Sequence, residues 1–298
     1  MNNSISAALL RSTVVIMTPL LFAATGGLFT ELSGMLNIAL EGLLLTGTFA
    51  AVAAVAFTGS FAAGLFAAII SSMALALLTA FTTLKLRSNI FITGLAANML
   101  SSGLTVVLSY QLFNTRGVVV LRDIASLPVI NIPLVCNIPF LGSLLSGHSL
   151  YVYASWLLLL LSWALIYKTP FGYRLRASGK RSEALASLGI ESSTFRYAAF
   201  AISGIFCGIG GSFLSLNLGA FVPNMPAGKG WIALVIIFLG SRRPIGLIIA
   251  AFIFGLAEAF SNYAQGLFSL PADFILALPF FFTLLAMIVS SIFSRNTR

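Results

Sequence analysis

Charge is what this sequence has least of. Only 8% of its 298 residues are Asp, Glu, Lys or Arg, where an ordinary soluble domain devotes about a quarter of its chain to them. A soluble fold must clothe its apolar core in polar groups, and 16 basic plus 7 acidic residues cannot cover a chain that is 59% hydrophobic. The chain is therefore built for lipid. Histidine occurs once and cysteine twice, too few for a metal cluster or a disulfide framework: Cys136 falls in a Pro-rich loop and Cys207 inside an apolar run. Also absent are a G-x-x-x-x-G-K-[ST] phosphate loop and a G-x-S-x-G elbow. Gly228 to Ala233 reads G-x-G-x-x-A, but it follows a Pro-containing loop without a βαβ unit, so no dinucleotide site is expected. No catalytic residue, metal or cofactor is expected in this chain, and any ATP must be hydrolysed by another.

The formal charge of +9 does not indicate nucleic acid, because the basic residues lie between apolar runs instead of forming one patch. Their densest group, Lys168, Arg174, Arg176, Lys180, Arg181 and Arg196, fills one polar interval between two hydrophobic segments, as the positive-inside rule requires of a cytoplasmic loop.

A membrane core about 30 Å thick needs roughly 20 apolar residues per helix. Uncharged runs of that order cover residues 9–29, 34–57, 61–84, 89–110, 149–167, 197–219, 244–262 and 272–293, with a shorter piece at 230–240. Val14 to Leu28 reads as the first membrane helix, not as a signal peptide. The expected fold is all-α: one permease-like membrane domain over 1–298, of about 8–10 spans, with at least one discontinuous helix. Residues 111–148 are expected outside and 168–196 in the cytoplasm. The N-terminus is expected inside if 34–57 breaks into two half-segments, which is the reading preferred here, and outside if it crosses once. Asn37-Ile38-Ala39-Leu40 and Trp231-Ile232-Ala233-Leu234 echo one another, the pattern of interrupted segments in two inverted-repeat halves.

Glu41 stands in an apolar run, where an ionised carboxylate facing lipid costs at least a few kcal/mol; it must face protein or water. If the segment is helical, Asn37, Glu41 and Thr48 form one polar stripe, which can line a pathway or hydrogen-bond to a neighbouring helix. Asn98 offers the same choice in 89–110, and Glu258 reads as structural or snorkelling. Gly204, Gly208 and Ser212 form a stripe for close helix approach. Pro170 and Gly172 are expected to end a membrane helix, with a short helix from Glu183 to Leu188 closed by Gly189. That helix is either a knob for a partner or part of a basic loop.

Three blocks carry a resemblance. Glu31-Leu32-Ser33-Gly34-Met35-Leu36-Asn37-Ile38-Ala39-Leu40-Glu41-Gly42 is similar to E-x-x-G-x-x-N-[IL]-x-x-E-G. Thr169-Pro170-Phe171-Gly172 through Arg176-Ala177 to Gly189-Ile190 resembles T-P-x-G-x-x-x-R-A with a following A-x-x-x-G-I. Ala227-Gly228-Lys229-Gly230-Trp231-Ile232-Ala233-Leu234 matches A-G-[RK]-G-[FWY]-I-A-L. Together they resemble the permeases of binding-protein-dependent ABC importers for branched-chain amino acids, ribose-like sugars and nucleosides, most closely the nucleoside-type branch. The resemblance implies a multi-pass subunit of the inner (cytoplasmic) membrane that performs no chemistry itself. Its implied partners are ATP-binding-cassette ATPases that hold Mg-ATP, a second permease subunit (the same or different) and an extracytoplasmic binding protein or lipoprotein. It implies ATPase coupling through Thr169, Pro170, Gly172, Arg176, Glu183, Ala184 and Gly189, while Asn37, Glu41 and Asn98 are expected from the residues themselves to line the pathway. The solute implied is a nucleoside, with riboflavin or a simple sugar as alternatives; an ion-coupled carrier using Glu41 and Glu258 is the rival from another class.

Overall fold

The computed structural model describes residues 2–121, 127–131 and 141–265. The expected span 272–293 lies outside them, as does Cys136. Seven of the described helices are long and apolar enough to cross a membrane: α1 (Asn2–Leu32), α2 (Leu40–Thr58), α3 (Phe61–Leu84), α4 (Ile90–Phe113), and then, after short outer elements, α6, α9 and α11. Those outer elements are strands β1 (Val119–Val120) and β2 (Val129–Ile130), helix α5 (Leu141–Leu145) and strand β3 (His148–Ser149). Helix α6 (Leu150–Lys168) leads to a basic layer of α7 (Pro170–Lys180) and α8 (Ser182–Ser187). Helix α9 (Ser192–Leu218) returns to β4 (Ala220–Phe221), and the short α10 (Lys229–Leu239) is followed by α11 (Pro244–Gln265).

Helix α9 packs against α1, α2 and α3, and glycine makes that possible. A Cβ on Gly204 would come within 2.5 Å of Met73 Cα, one on Gly208 within 2.6 Å of Ala68 O, and one on Gly211 within 2.4 Å of Leu44 O. The small-residue stripe read from the sequence is thus a packing surface. Several buried hydroxyls are spent on their own helices, as where Thr18 donates to Val14 O and Thr25 to Leu21 O.

Sidedness follows from contacts. The basic layer at α7 is the end that the sequence reading expects in the cytoplasm, and its Gly179 abuts Gly34, just past the end of α1. At the other end of α1, Arg11 donates to Gly147 O in the outer loop. The N-terminal end of α1 thus lies at the opposite end of the bundle from the basic layer, the arrangement that follows if the segment crosses once and the basic layer is cytoplasmic. The 34–57 segment does break, but at its start: residues 33–39 are unwound and α2 then runs as one helix, making a single crossing. Strand β1 pairs with β4 (Val119 opposite Phe221) and β2 with β3 (Ile130 opposite His148), fastening the outer loop over the helix ends.

Candidate functional site

Two breaks in the helical structure meet within the bundle. After α1 the chain climbs unwound to α2, and Asn37 is buried in that climb. Its Nδ2 donates to Ser203 Oγ of α9 at 3.0 Å, and its Oδ1 accepts from Ala39 N at 3.1 Å. The start of α2 has orphan backbone groups, and Asn98 of α4 serves them: its Oδ1 accepts from Gly42 N at 2.7 Å and its Nδ2 donates to Ile38 O at 3.0 Å.

The second break precedes α10. Glu41 Oε1 accepts from Gly228 N at 2.8 Å and its Oε2 from Gly230 N at 2.7 Å. A carboxylate thus closes the N-terminus of α10, where the exposed N–H groups and the helix dipole favour negative charge. The fit is close: a Cβ on Gly230 would lie 2.3 Å from Glu41 N. Lys229, between the two donors, pairs with Glu258 of α11 at 2.7 Å, both side chains mostly buried.

Leading into α10, residues 222–228 descend from β4 as a chain of tight turns: Met225 N donates to Val222 O, Ala227 N to Asn224 O and Lys229 N to Pro226 O. Asn224, Ala227 and Gly228 all have positive φ, at 55°, 49° and 89°. Ser102, midway along the 24-residue α4, donates to Asn224 Oδ1 at 3.1 Å, so this irregular segment lies beside the midpoint of a helix long and apolar enough to cross a membrane. Asn224 and Ala227 are exposed there. Non-helical backbone at that depth is tolerated only inside protein or beside water.

At the cytoplasmic end, Thr169 caps α7: its Oγ1 accepts from Gly172 N and donates to Leu165 O. Pro170 occupies the first turn, where a missing N–H costs nothing. A Cβ on Gly172 would lie 2.2 Å from Ile166 O, so only glycine lets α7 fold back beneath α6. The Arg176 guanidinium lies over the rings of Tyr167 and Tyr173. Helix α8 buries only Leu185; Glu183 and Ala184 are exposed, and Leu188, 73% exposed, projects beside Gly189 at φ 72°.

Family comparison agrees with this architecture. Residues 9–293 match the model described as branched-chain amino acid transport system, permease component. The chain belongs to this permease family. Nucleoside ABC transporter permease protein NupC of Lactococcus lactis is 30% identical over 92% of this chain and 89% of its own length. Guanosine ABC transporter permease protein NupQ of Bacillus subtilis is 31% identical over 93% and 89%. A relative named for glucose ABC transport, TsgC13 of Haloferax volcanii, is 32% identical over 89% and 80%. A solved inward-facing ABC transporter described as of metal-chelate type shares the fold, with TM-score 0.53, 15% identity and coverage of 90% of this chain and 81% of that one. The chain is accordingly a multi-pass component of the cytoplasmic membrane.

In this permease, Asn37, Glu41 and Asn98 do come together, but not as a helical stripe. Asn37 precedes the helix, and Thr48 is buried, its hydroxyl donating to Leu45 O. Glu258, read as structural or snorkelling, has a base as partner in Lys229. In the cytoplasmic layer, Pro170 and Gly172 do not merely stop α6; they start α7, while α8 and Gly189 fall where the sequence puts the short helix and its end. Ser102 and Asn224 were not singled out. The Asn-Met-Pro-Ala-Gly run between two apolar segments was the available signal for a turn there.

Proposed function

We propose that the chain is the membrane subunit of an ATP-driven importer for a neutral polar solute, a nucleoside before a sugar or riboflavin. The observation that carries the solute class is that ionised groups around the breaks are already spent: Glu41 on two backbone donors, Lys229 and Glu258 on each other. A zwitterionic amino acid needs countercharges. A nucleoside needs hydroxyl and amide partners, and the groups that remain there, Ser102 and Asn224, are of that kind. The names of NupC and NupQ favour nucleosides over sugars.

In this reading the pathway passes the re-entrant segment 222–228, and Asn37, Glu41 and Asn98 frame its wall by holding the two breaks. The broken segments are equivalent parts of two inverted halves. ATPase subunits carrying Mg-ATP dock on α7 and α8 through the surface held by Thr169, Pro170, Gly172 and Arg176, with Glu183, Ala184 and Gly189 at the contact. Gly179 against Gly34 then passes their movement to the chain between α1 and α2. A second permease subunit and an outer binding protein complete the importer; this chain needs no cofactor.

The test is uptake of radiolabelled guanosine, adenosine, ribose and riboflavin into proteoliposomes holding the complex, with and without internal ATP. ATP-dependent nucleoside uptake is expected. ATP-dependent uptake of another of these solutes would overturn the solute, and uptake indifferent to ATP would overturn the importer.

A further inference from the structure

Resting on the nucleoside-importer reading, we infer that Asn224 is a specificity-determining residue that hydrogen-bonds the solute at the middle of the membrane. Three features of the residue converge on this.

First, Asn224 sits at φ 55°, a left-handed conformation that asparagine tolerates better than most side chains, and the turns on either side of it fix the backbone there. Second, its carboxamide is half engaged: Oδ1 accepts from Ser102 Oγ at 3.1 Å, while Nδ2 donates to none of the described residues. The bond to Ser102 orients the carboxamide of this exposed residue and leaves its NH2 free to donate. Third, a carboxamide N–H without a partner at mid-membrane is costly unless water or solute meets it. The nearby charges cannot compete for the solute, since Glu41, Lys229 and Glu258 are occupied. What is presented is one neutral donor with residual acceptor capacity, suited to a nucleobase carbonyl or ring nitrogen, or to a ribose hydroxyl. A site that offers a hydrogen bond discriminates against solutes that cannot return it.

The test uses Asn224→Gly and Asn224→Asp in the reconstituted complex, normalised to the amount of protein in the membrane. Glycine accepts the positive φ and removes only the carboxamide; aspartate keeps the shape but loses the donor. The expected result is a rise in KM for nucleoside of about tenfold in each, a smaller change in maximal rate, and an altered ratio of guanosine to adenosine uptake. Ser102→Ala is expected to raise KM less. KM and guanosine-to-adenosine ratio equal to wild type in Asn224→Gly would overturn the inference, as would a fall in maximal rate alone, which is the signature of a structural role. Failure of the importer reading shows separately, in the wild-type protein and its ATP dependence. Should the wild type import a sugar or riboflavin, the same KM ratio on that solute decides the role of Asn224.

Discussion

The middle of the membrane and the cytoplasmic layer solve opposite problems. Around the two breaks, polar groups other than the Asn224 amide are turned inward and matched: Asn37 with Ser203, Asn98 with the start of α2, Glu41 with the start of α10, Lys229 with Glu258. In the α7–α8 layer Thr169 caps α7 but α8 starts without a side-chain cap, and most side chains of α8 and the Leu188 tip are exposed. The first region is arranged to hold a shape in a medium that cannot hydrogen-bond. The second leaves a surface free, as the proposed docking of ATPase subunits requires.

Substitutions break the comparison most strongly in the first region. Gly230→Val sets a side chain against the Glu41 backbone, and a loss of about 4 kcal/mol or more is expected, seen as loss of folded protein in detergent. Glu41→Ala strands two backbone donors, at a cost of about 3 kcal/mol, whereas Glu41→Gln keeps one acceptor oxygen and is expected to lose about half that; thermal unfolding of the purified subunit measures both. Lys229→Met leaves Glu258 unpaired and is expected to destabilise by about 3 kcal/mol, much of it restored in the double variant Lys229→Met with Glu258→Met. Equal stability of the single and double variants would deny the pair its role.

The cytoplasmic layer should respond differently. Gly189→Val pays about 1–2 kcal/mol for a left-handed residue, but nothing lies within 4 Å of the added Cβ. Its main expected effect is a raised ratio of ATP hydrolysed to solute imported. Leu188→Ala is expected to stay within about 0.5 kcal/mol of the parent in stability while lowering coupling in the same assay. A large stability loss there would show that α8 is packing, not contact surface.

The difference between the regions also explains what the sequence could and could not reveal. Spans were legible because lipid demands long uncharged runs, and the end of the short helix was legible because the left-handed Gly189 acts locally. The site was only partly so. Glu41 announced itself as an expensive acid, but nothing near it in sequence named Gly228 and Gly230, which are brought to it by the fold. Lys229 and Glu258 are likewise distant in sequence, so Glu258 looked unpartnered. The place of the break was not legible: the sequence suggested that 34–57 splits into two half-segments, whereas the unwound stretch is 33–39 and α2 runs on as one helix. Asn224 was invisible as a site residue because its meaning lies in depth: the same Asn-Met-Pro-Ala-Gly turn at a surface would be an ordinary loop.

The central claim is that irregular backbone in the middle of the membrane borders a water-filled route. Asn224→Cys, in a background with Cys136 and Cys207 replaced by Ser, tests it through reaction with a charged, membrane-impermeant thiol reagent in the assembled transporter. Labelling that slows when nucleoside and binding protein are added is the outcome this account requires. Labelling only by membrane-permeant reagents, with no response to solute, would place residues 222–228 against lipid or packed protein and contradict it.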